Sequence, residues 1–313
     1  GSPSLGVLAR AARGEVVILV DDGTRSTPQH ILLPVLLDEL NQAGVADERI
    51  VLLVALGTHR PMTRRECQER FGQDVTARVR VENLDQDPAA FVDLGQSPSG
   101  VPIHVARRLC EASLSLAVGN IVPHMFTGFS GGAKMVQPGA CSPLTTARTH
   151  LWAAPLIHQT LGQVENPVRR ELELIGRRAN LGFIVNTVLN GHGEVTEVVA
   201  GDMVAAHRRG AATARSVFGM QVPEQPDIVV AGSYPADRDW WQGLKAINAA
   251  AIAVRPGGEV IVSLAAPEGI APDHPYVVDN ALRQINDVRA SLGAITNRLE
   301  NTVSNLQIIS ENL

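Results

Sequence analysis

The chain has 313 residues, 45% of them hydrophobic and 19% charged, which is enough for two domains with cores of their own and excludes a disordered or fibrous protein. A formal net charge of −5 leaves no surplus of Lys and Arg to displace counterions, so nucleic acid is excluded as the main partner. No apolar run is long enough to span a bilayer, and the start, GSPSLGVLARAARGE, lacks the basic-then-apolar pattern of a secretion signal; both predict a cytoplasmic chain with no membrane partner.

Glu15 to Val20 is a short, β-branched apolar run that ends in Asp21-Asp22-Gly23-Thr24-Arg25 before a helical stretch from about Thr27. The same unit of strand, polar loop and helix recurs where Arg49 to Ala55 leads into Gly57-Thr58-His59-Arg60. It appears again where Leu114 to Gly119 leads into Asn120 to His124. Open α/β sheets bind ligands at the carboxyl ends of their strands, so these three loops are expected to converge. The plainer role for Asp22 and Arg25 is to cap and brace the helix beside them. Cys67, Cys110 and Cys141 are odd in number and lack CxxC spacing, which predicts free thiols in a reducing compartment, with Cys141 in the core.

From His124 to His150 two imidazoles flank Lys134 in a loop of small residues, PHMFTGFSGGAKMVQPG followed by TTARTH. Gly128, Gly131 and Gly132 let backbone amides approach an anion closely, and Pro138-Gly139 end the segment with a turn. A Walker A loop is excluded, because Lys134 follows Ala133 and precedes Met135 where that pattern needs Gly and Ser or Thr. A phosphate-bearing ligand is expected here; a surface turn with a solvated lysine is the alternative.

After the connection Val222-Pro223-Glu224-Gln225-Pro226 a second α/β segment begins, with a strand over Asp227 to Ala231, a helix carrying Trp240, Trp241, Gln242 and Lys245, and a strand over Glu259 to Leu264. From Val278, apolar residues at steps of three and four from Leu282 to Leu313 predict one long amphipathic helix. The expected fold is thus α/β, with two parallel-sheet domains and a cleft between them. Residues 1–222 form the catalytic domain, 223–276 an incomplete second domain, and 277–313 the helix. Asp22, Arg25, His59, His124, Lys134 and His150 would face Gln242 and Lys245 across the cleft, while His30, His104, His158, His192, His207 and His274 are read as structural.

Taken together, DDGTR (Asp21 to Arg25), GTHR (Gly57 to Arg60), HMFTGFSGGAKMVQPG (His124 to Gly139), His150, ENPVRRE (Glu165 to Glu171) and SYPADRDWWQGLK (ending at Lys245) resemble the nickel-dependent lactate racemase family, also called 2-hydroxyacid racemases. The resemblance runs from residue 1 to about 275. It implies a nickel-pincer nucleotide, a pyridinium mononucleotide with two sulfur-bearing arms, joined covalently to Lys134 and holding nickel with His150 as the protein's ligand. It further implies His59 and His124 as the acid/base pair, with Arg25, Trp241, Gln242 and Lys245 around a small 2-hydroxycarboxylate. Trp241 stands where a tyrosine is common. Asp22, Thr24, Ser130, Gly131 and Gly132 match the cofactor surroundings. Reversible hydride transfer to the cofactor, through a planar 2-keto acid, would invert the centre, and separate maturation proteins would load the cofactor.

The remaining segment, about Val278 to Leu313, resembles the C-terminal core helix of bacterial flagellin and implies a chimera that self-associates. Two other functions follow from the same residues. One is an inactive scaffold assembled through that helix. The other is a zinc hydrolase using His59, His124 and His150, for which the sequence offers no carboxylate at HExxH-type spacing and no use for Lys134.

Overall fold

Runs of Val, Ile and Leu with no polar interruption make the centre of the molecule. The computed structural model describes residues 3–269 apart from Pro235; the expected helix over 277–313, His274 and the side chain of His158 lie outside the described residues. After α1 (Leu5–Ala11) come β1 (Val16–Val20), α2 (Gln29–Gln42), β2 (Ile50–Val54), α3 (Arg64–Phe71), α4 (Gln73–Arg78) and β3 (Arg80–Asn83). A hairpin of β4 (Phe91–Gln96) and β5 (Pro102–Ala106) and the short α5 (Arg107–Glu111) lead into β6 (Leu114–Asn120). The two-residue strands β7 (Pro123–His124) and β8 (Gly128–Phe129) pair antiparallel, and α6 (Pro143–Ala153), α7 (Pro167–Arg178), β9 (Phe183–Leu189), β10 (Val195–Gly201) and α8 (Ala205–Phe218) follow.

Six strands form one sheet in the order β10-β9-β6-β1-β2-β3, parallel throughout except for β10 against β9. Every residue of β1, β2 and β6 is buried, as a parallel sheet covered on both faces requires. The chain steps from β1 to β2 and β3 on one side, then returns through β6 to the other side of β1. The switch point therefore lies between β1 and β6, and the crevice beyond their carboxyl ends is where such a sheet takes a ligand. The expected α/β class and the three expected strands are borne out to within one residue at each end.

Further along, β11 (Ile228–Gly232) and β12 (Glu259–Ser263) pair parallel in a sheet of their own, connected by α9 (Trp240–Ala253). The side chain of Asp239 caps α9 by accepting from the Gln242 amide at 2.7 Å. This fixes the phase of the helix that carries Trp241, Gln242 and Lys245.

Candidate active site

Asp22 neither caps nor braces the helix that follows it. Helix α2 starts at Gln29 with Pro28 as its N-cap and no side-chain cap. Asp21 does the bracing: its buried carboxylate accepts from Thr27 Oγ1, from Gln29 Nε2 at 3.0 Å and from the Arg70 guanidinium. Asp22 is left for the crevice. Its Oδ1 accepts from the Thr24 amide (3.0 Å) and hydroxyl (2.5 Å), and Thr24 Oγ1 accepts in turn from Arg25 Nη1 at 2.7 Å. A short Asx turn thus presents Asp22, Thr24 and Arg25 together.

The loop after β2 brings His59 against that turn, with Nδ1–H donating to Asp22 Oδ2 at 2.6 Å. Burial alone would raise the Asp22 carboxyl. The hydrogen bond and charge of His59, the charge of Arg25 and the Thr24 hydroxyl outweigh it and hold the group well below the usual carboxylate range. With its proton on Nδ1, His59 turns an acceptor Nε2 toward the Gln242 amide nitrogen, 3.4 Å away, and Gln242 Oε1 accepts from Lys245 Nζ at 2.6 Å. Arg60 of the same loop points elsewhere, to Glu66 at 2.7 Å.

The loop after β6 supplies the other imidazole. His124 Nδ1 accepts from the Phe126 amide at 3.2 Å, so a neutral His124 carries its proton on Nε2, opposite to His59. Burial lowers the His124 pKa well below its ordinary value, and the nearby charges of Lys134, Lys245, Arg25 and His150 lower it further. His150, in the last turn of α6, is pushed down to about 4 by burial and by Lys134. Its ring meets Phe126 edge-on with centroids 5.1 Å apart and Trp241 edge-on at 5.9 Å; Phe126 and Trp241 stack at 6.4 Å. The Lys134 amine is also pushed far down, first by burial and then by Arg25, Lys245 and Arg169. A lysine so placed is biased toward the neutral amine, the form that can act as a nucleophile.

Lys134 sits on a 3-10 turn, Gly132–Met135, entered through Gly131 at φ +71°. A Cβ on Gly131 would lie 2.7 Å from Asn186 Oδ1 and 2.9 Å from Asn120 O, so the close packing admits only glycine there. The Ser130 hydroxyl is used within the loop, donating to Asn120 O at 2.8 Å and accepting from the Val122 amide at 2.9 Å. Gly57 N donates to Gly139 O at 2.9 Å, tying the His59 loop to the lysine loop. Lys134 is thus half-buried with a desolvated amine, not the solvated lysine of a surface turn. Cys141 is fully buried beside β5, where desolvation raises its thiol well above the ordinary value, in keeping with the core role expected of it.

Three supporting residues carried no expected role: Asn186 on β9, Arg169 on α7 and His207 on α8, which bind Gly132 N, the carbonyls of Phe129 and Gly131, and Ser130 O. Asn186 had a sequence signal, a polar residue inside the apolar run FIVNTVL. Arg169 lay within the ENPVRRE motif without a task. His207, read as structural, is fully buried and serves the loop's backbone.

The arrangement is a half-buried cluster of Arg25, Lys245 and the Lys134 amine at a parallel-sheet switch point, with two imidazoles of opposite proton placement. Residues 1–159 match the family described as the lactate racemase N-terminal domain. The chain belongs to the lactate racemase family. It is 34% identical over 276 residues to the lactate racemase of Lactiplantibacillus plantarum, covering 86% of this chain and 64% of that one. It is 31% identical over 261 residues to the lactate racemase of Thermoanaerobacterium thermosaccharolyticum, covering 81% and 60%. The solved lactate racemase apoprotein from the latter organism superposes with a TM-score of 0.80 at 30% identity, over 86% of this chain and 65% of that one. This chain therefore spans a little under two thirds of the relatives it matches. Residues 276–313 match the bacterial flagellin C-terminal helical region, so both expected resemblances are borne out.

Among the described residues no group of three or more His, Cys, Asp or Glu side chains is placed to hold a metal ion, which removes the support for a three-histidine zinc site. None of the described helices is long and apolar enough to cross a membrane.

Proposed function

We propose that this lactate racemase family member interconverts the enantiomers of a small 2-hydroxycarboxylate, using a nickel-pincer nucleotide attached to Lys134. The observation that carries this reading is the half-buried Lys134, whose amine is pushed toward its neutral form on a glycine turn near Arg25, Lys245, His124 and His150. The residues fit the group. The amine can be acylated, and His150 is an unprotonated imidazole at neutral pH, as a metal ligand must be. With no metal-binding cluster in the described protein, nickel would take its other donors from the nucleotide, whose sulfurs suit it. When bound, the cofactor supplies a reversible hydride acceptor.

The protein's own groups do the rest. Arg25 and Lys245 bind the substrate carboxylate, the first as a fork and the second as a point charge. Gln242, held by Lys245, orients the substrate beside His59. For one enantiomer His59 Nε2 takes the hydroxyl proton, with Asp22 stabilising the imidazolium that forms. His124 does so for the other enantiomer through Nδ1, its unprotonated nitrogen, exchanging the Phe126 amide for the substrate hydroxyl. Two bases are needed because the two hands present the hydroxyl to opposite sides. Trp241 and Phe126 wall the pocket against water.

We assign residues 1–222 to the cofactor-binding domain, 223–276 to the second domain, and self-association in the cytoplasm to the flagellin-like residues 277–313. Cofactor maturation proteins are the expected partners. The test is intact-mass measurement after expression with those proteins and nickel, beside a lactate racemisation assay. Added mass that vanishes in Lys134→Ala supports the reading, whereas an unchanged mass in a racemising chain overturns it.

A further inference from the structure

Arg169 is the largest fully buried side chain in the described protein, at 0% exposure. Burying a guanidinium costs several kcal/mol unless it is paired, so a packing role alone would favour Leu or Met. Yet among the described residues no carboxylate lies within ion-pair distance of it. The two nearby acids, Glu165 and Glu173, are taken by Arg208. Burial lowers the Arg169 pKa to about 10, and the guanidinium remains charged at neutral pH. Its partners are two backbone carbonyls of one loop: Nη1 donates to Gly131 O at 3.1 Å and Nη2 to Phe129 O, while Nε has no partner.

Gly131 O is the informative partner. The same oxygen accepts from the Lys134 amide at 3.2 Å, closing the turn that carries the lysine. Arg169 thus holds the second lone pair of the carbonyl on which that turn depends. His207 Nε2–H donates to Ser130 O at 2.9 Å, so three consecutive carbonyls, Phe129 to Gly131, are gripped from α7 and α8. Asn186 Oδ1 takes the following Gly132 amide at 2.8 Å.

We propose that Arg169 is the positioning residue of Lys134: by gripping Phe129 O and Gly131 O it fixes the turn that presents the lysine amine and sets a permanent cation behind it. The charge reinforces the geometry. Arg169 acts with Arg25 and Lys245 to disfavour the ammonium form, against the single opposing charge of Asp22, with His124 and His150 also close. A methionine of similar length would fill the space, but it would supply neither donors nor charge.

The proposal rests on Lys134 being the attachment point, and the two fail separately. Absence of added mass on Lys134 sinks the attachment, whereas the following experiment uses the unloaded full chain and reports on Arg169 alone. Lys134 is acetylated with acetic anhydride between about pH 6 and pH 9 and quantified by peptide mass spectrometry. In Arg169→Met the pH midpoint should rise by about one unit, roughly a tenfold loss of reactive amine below the midpoint. In Arg169→Lys, which keeps a donor but at this buried position loses its charge as the other desolvated lysines do, the midpoint should also rise. In both variants exchange of the Lys134 amide should quicken, since its acceptor is loosened. A folded Arg169→Met with the parent's midpoint and exchange rate would overturn the proposal. If Arg169→Met does not fold, Arg169→Lys decides, and parental Lys134 amide exchange in that variant is the overturning result.

Discussion

His59 Nδ1 donates to Asp22 Oδ2 at 2.6 Å, and this one bond sets both the tautomer of the imidazole and the charge behind it. Replacing Asp22 by Asn reverses the bond, because the amide NH2 can donate to Nδ1 and leave the proton on Nε2, where His59 can no longer accept one. Asp22→Asn should lower racemisation by about 10²–10⁴-fold, the usual worth of a general base. Asp22 also belongs to the proposed cofactor surroundings, so loading is measured by intact mass alongside. A parental rate at equal loading would show that His59 does not depend on Asp22. The same pair stabilises the fold above the ordinary carboxylate value of 3.8, and that contribution is lost as pH falls through the lower folded value. Asp22→Asn should therefore flatten the acid limb of the stability profile.

Lys245 is pushed down to about 7 by burial first and by Arg25 next, against the pull of Asp239 and Asp22. Its ammonium, which would meet a substrate carboxylate, is present below that value and disappears as pH rises through it. In kcat/KM, which follows the free protein, activity should fall above about pH 7. In kcat the limb should move to higher pH, because a bound carboxylate favours the ammonium. Lys245→Arg should remove the limb from kcat/KM, since a guanidinium keeps its charge. An identical limb in Lys245→Arg would assign it to another group.

The strands flanking the crevice were legible in the sequence because uninterrupted runs such as VVILV and IVLLV suit only a sheet buried on both faces. The edge strand β3, RVEN, gave no such signal: with one side chain exposed and the others half-buried, it has no apolar run to read. The site was legible wherever a side chain sits in a strand-end loop, as Asp22, His59 and His124 do. It was illegible wherever support depends on tertiary approach. Arg169 reaches carbonyls 38 and 40 residues away, and nothing in the local pattern of α7 marks an arginine aimed at backbone rather than water. The division of labour between Asp21 and Asp22 was likewise hidden, because only the observed start of α2 shows which carboxylate serves the helix.

His150→Ala should abolish nickel binding yet leave the organic cofactor on Lys134. The imidazole is held at about 4, so at neutral pH it offers a metal an unprotonated nitrogen, while the tether is formed elsewhere, on the turn Gly132–Met135. Metal analysis beside intact mass separates the two losses. Stoichiometric nickel in the variant would remove His150 from the ligand role.

Two glycines of the site motifs should respond in opposite ways to the same substitution. At Gly128, φ is +76° and an added Cβ would lie 1.9 Å from Gln163 O and 2.9 Å from Asn166 Nδ2. The first neighbour is backbone and cannot swing aside, and Asn166 caps α7 by accepting from the Arg169 amide at 2.8 Å. Overpacking of this kind costs about 1–3 kcal/mol, and the left-handed backbone adds about 1–2 kcal/mol for an L side chain. Gly23, in the loop beside Asp22, has nothing within 4 Å of the equivalent position and needs no left-handed φ. Gly128→Ala should therefore lose at least about 2 kcal/mol in urea unfolding, whereas Gly23→Ala should stay within about 0.5 kcal/mol of the parent. Equal stability of the two variants would mean that the 124–139 loop can move off Gln163, and the rigid presentation of Lys134 would fall with it.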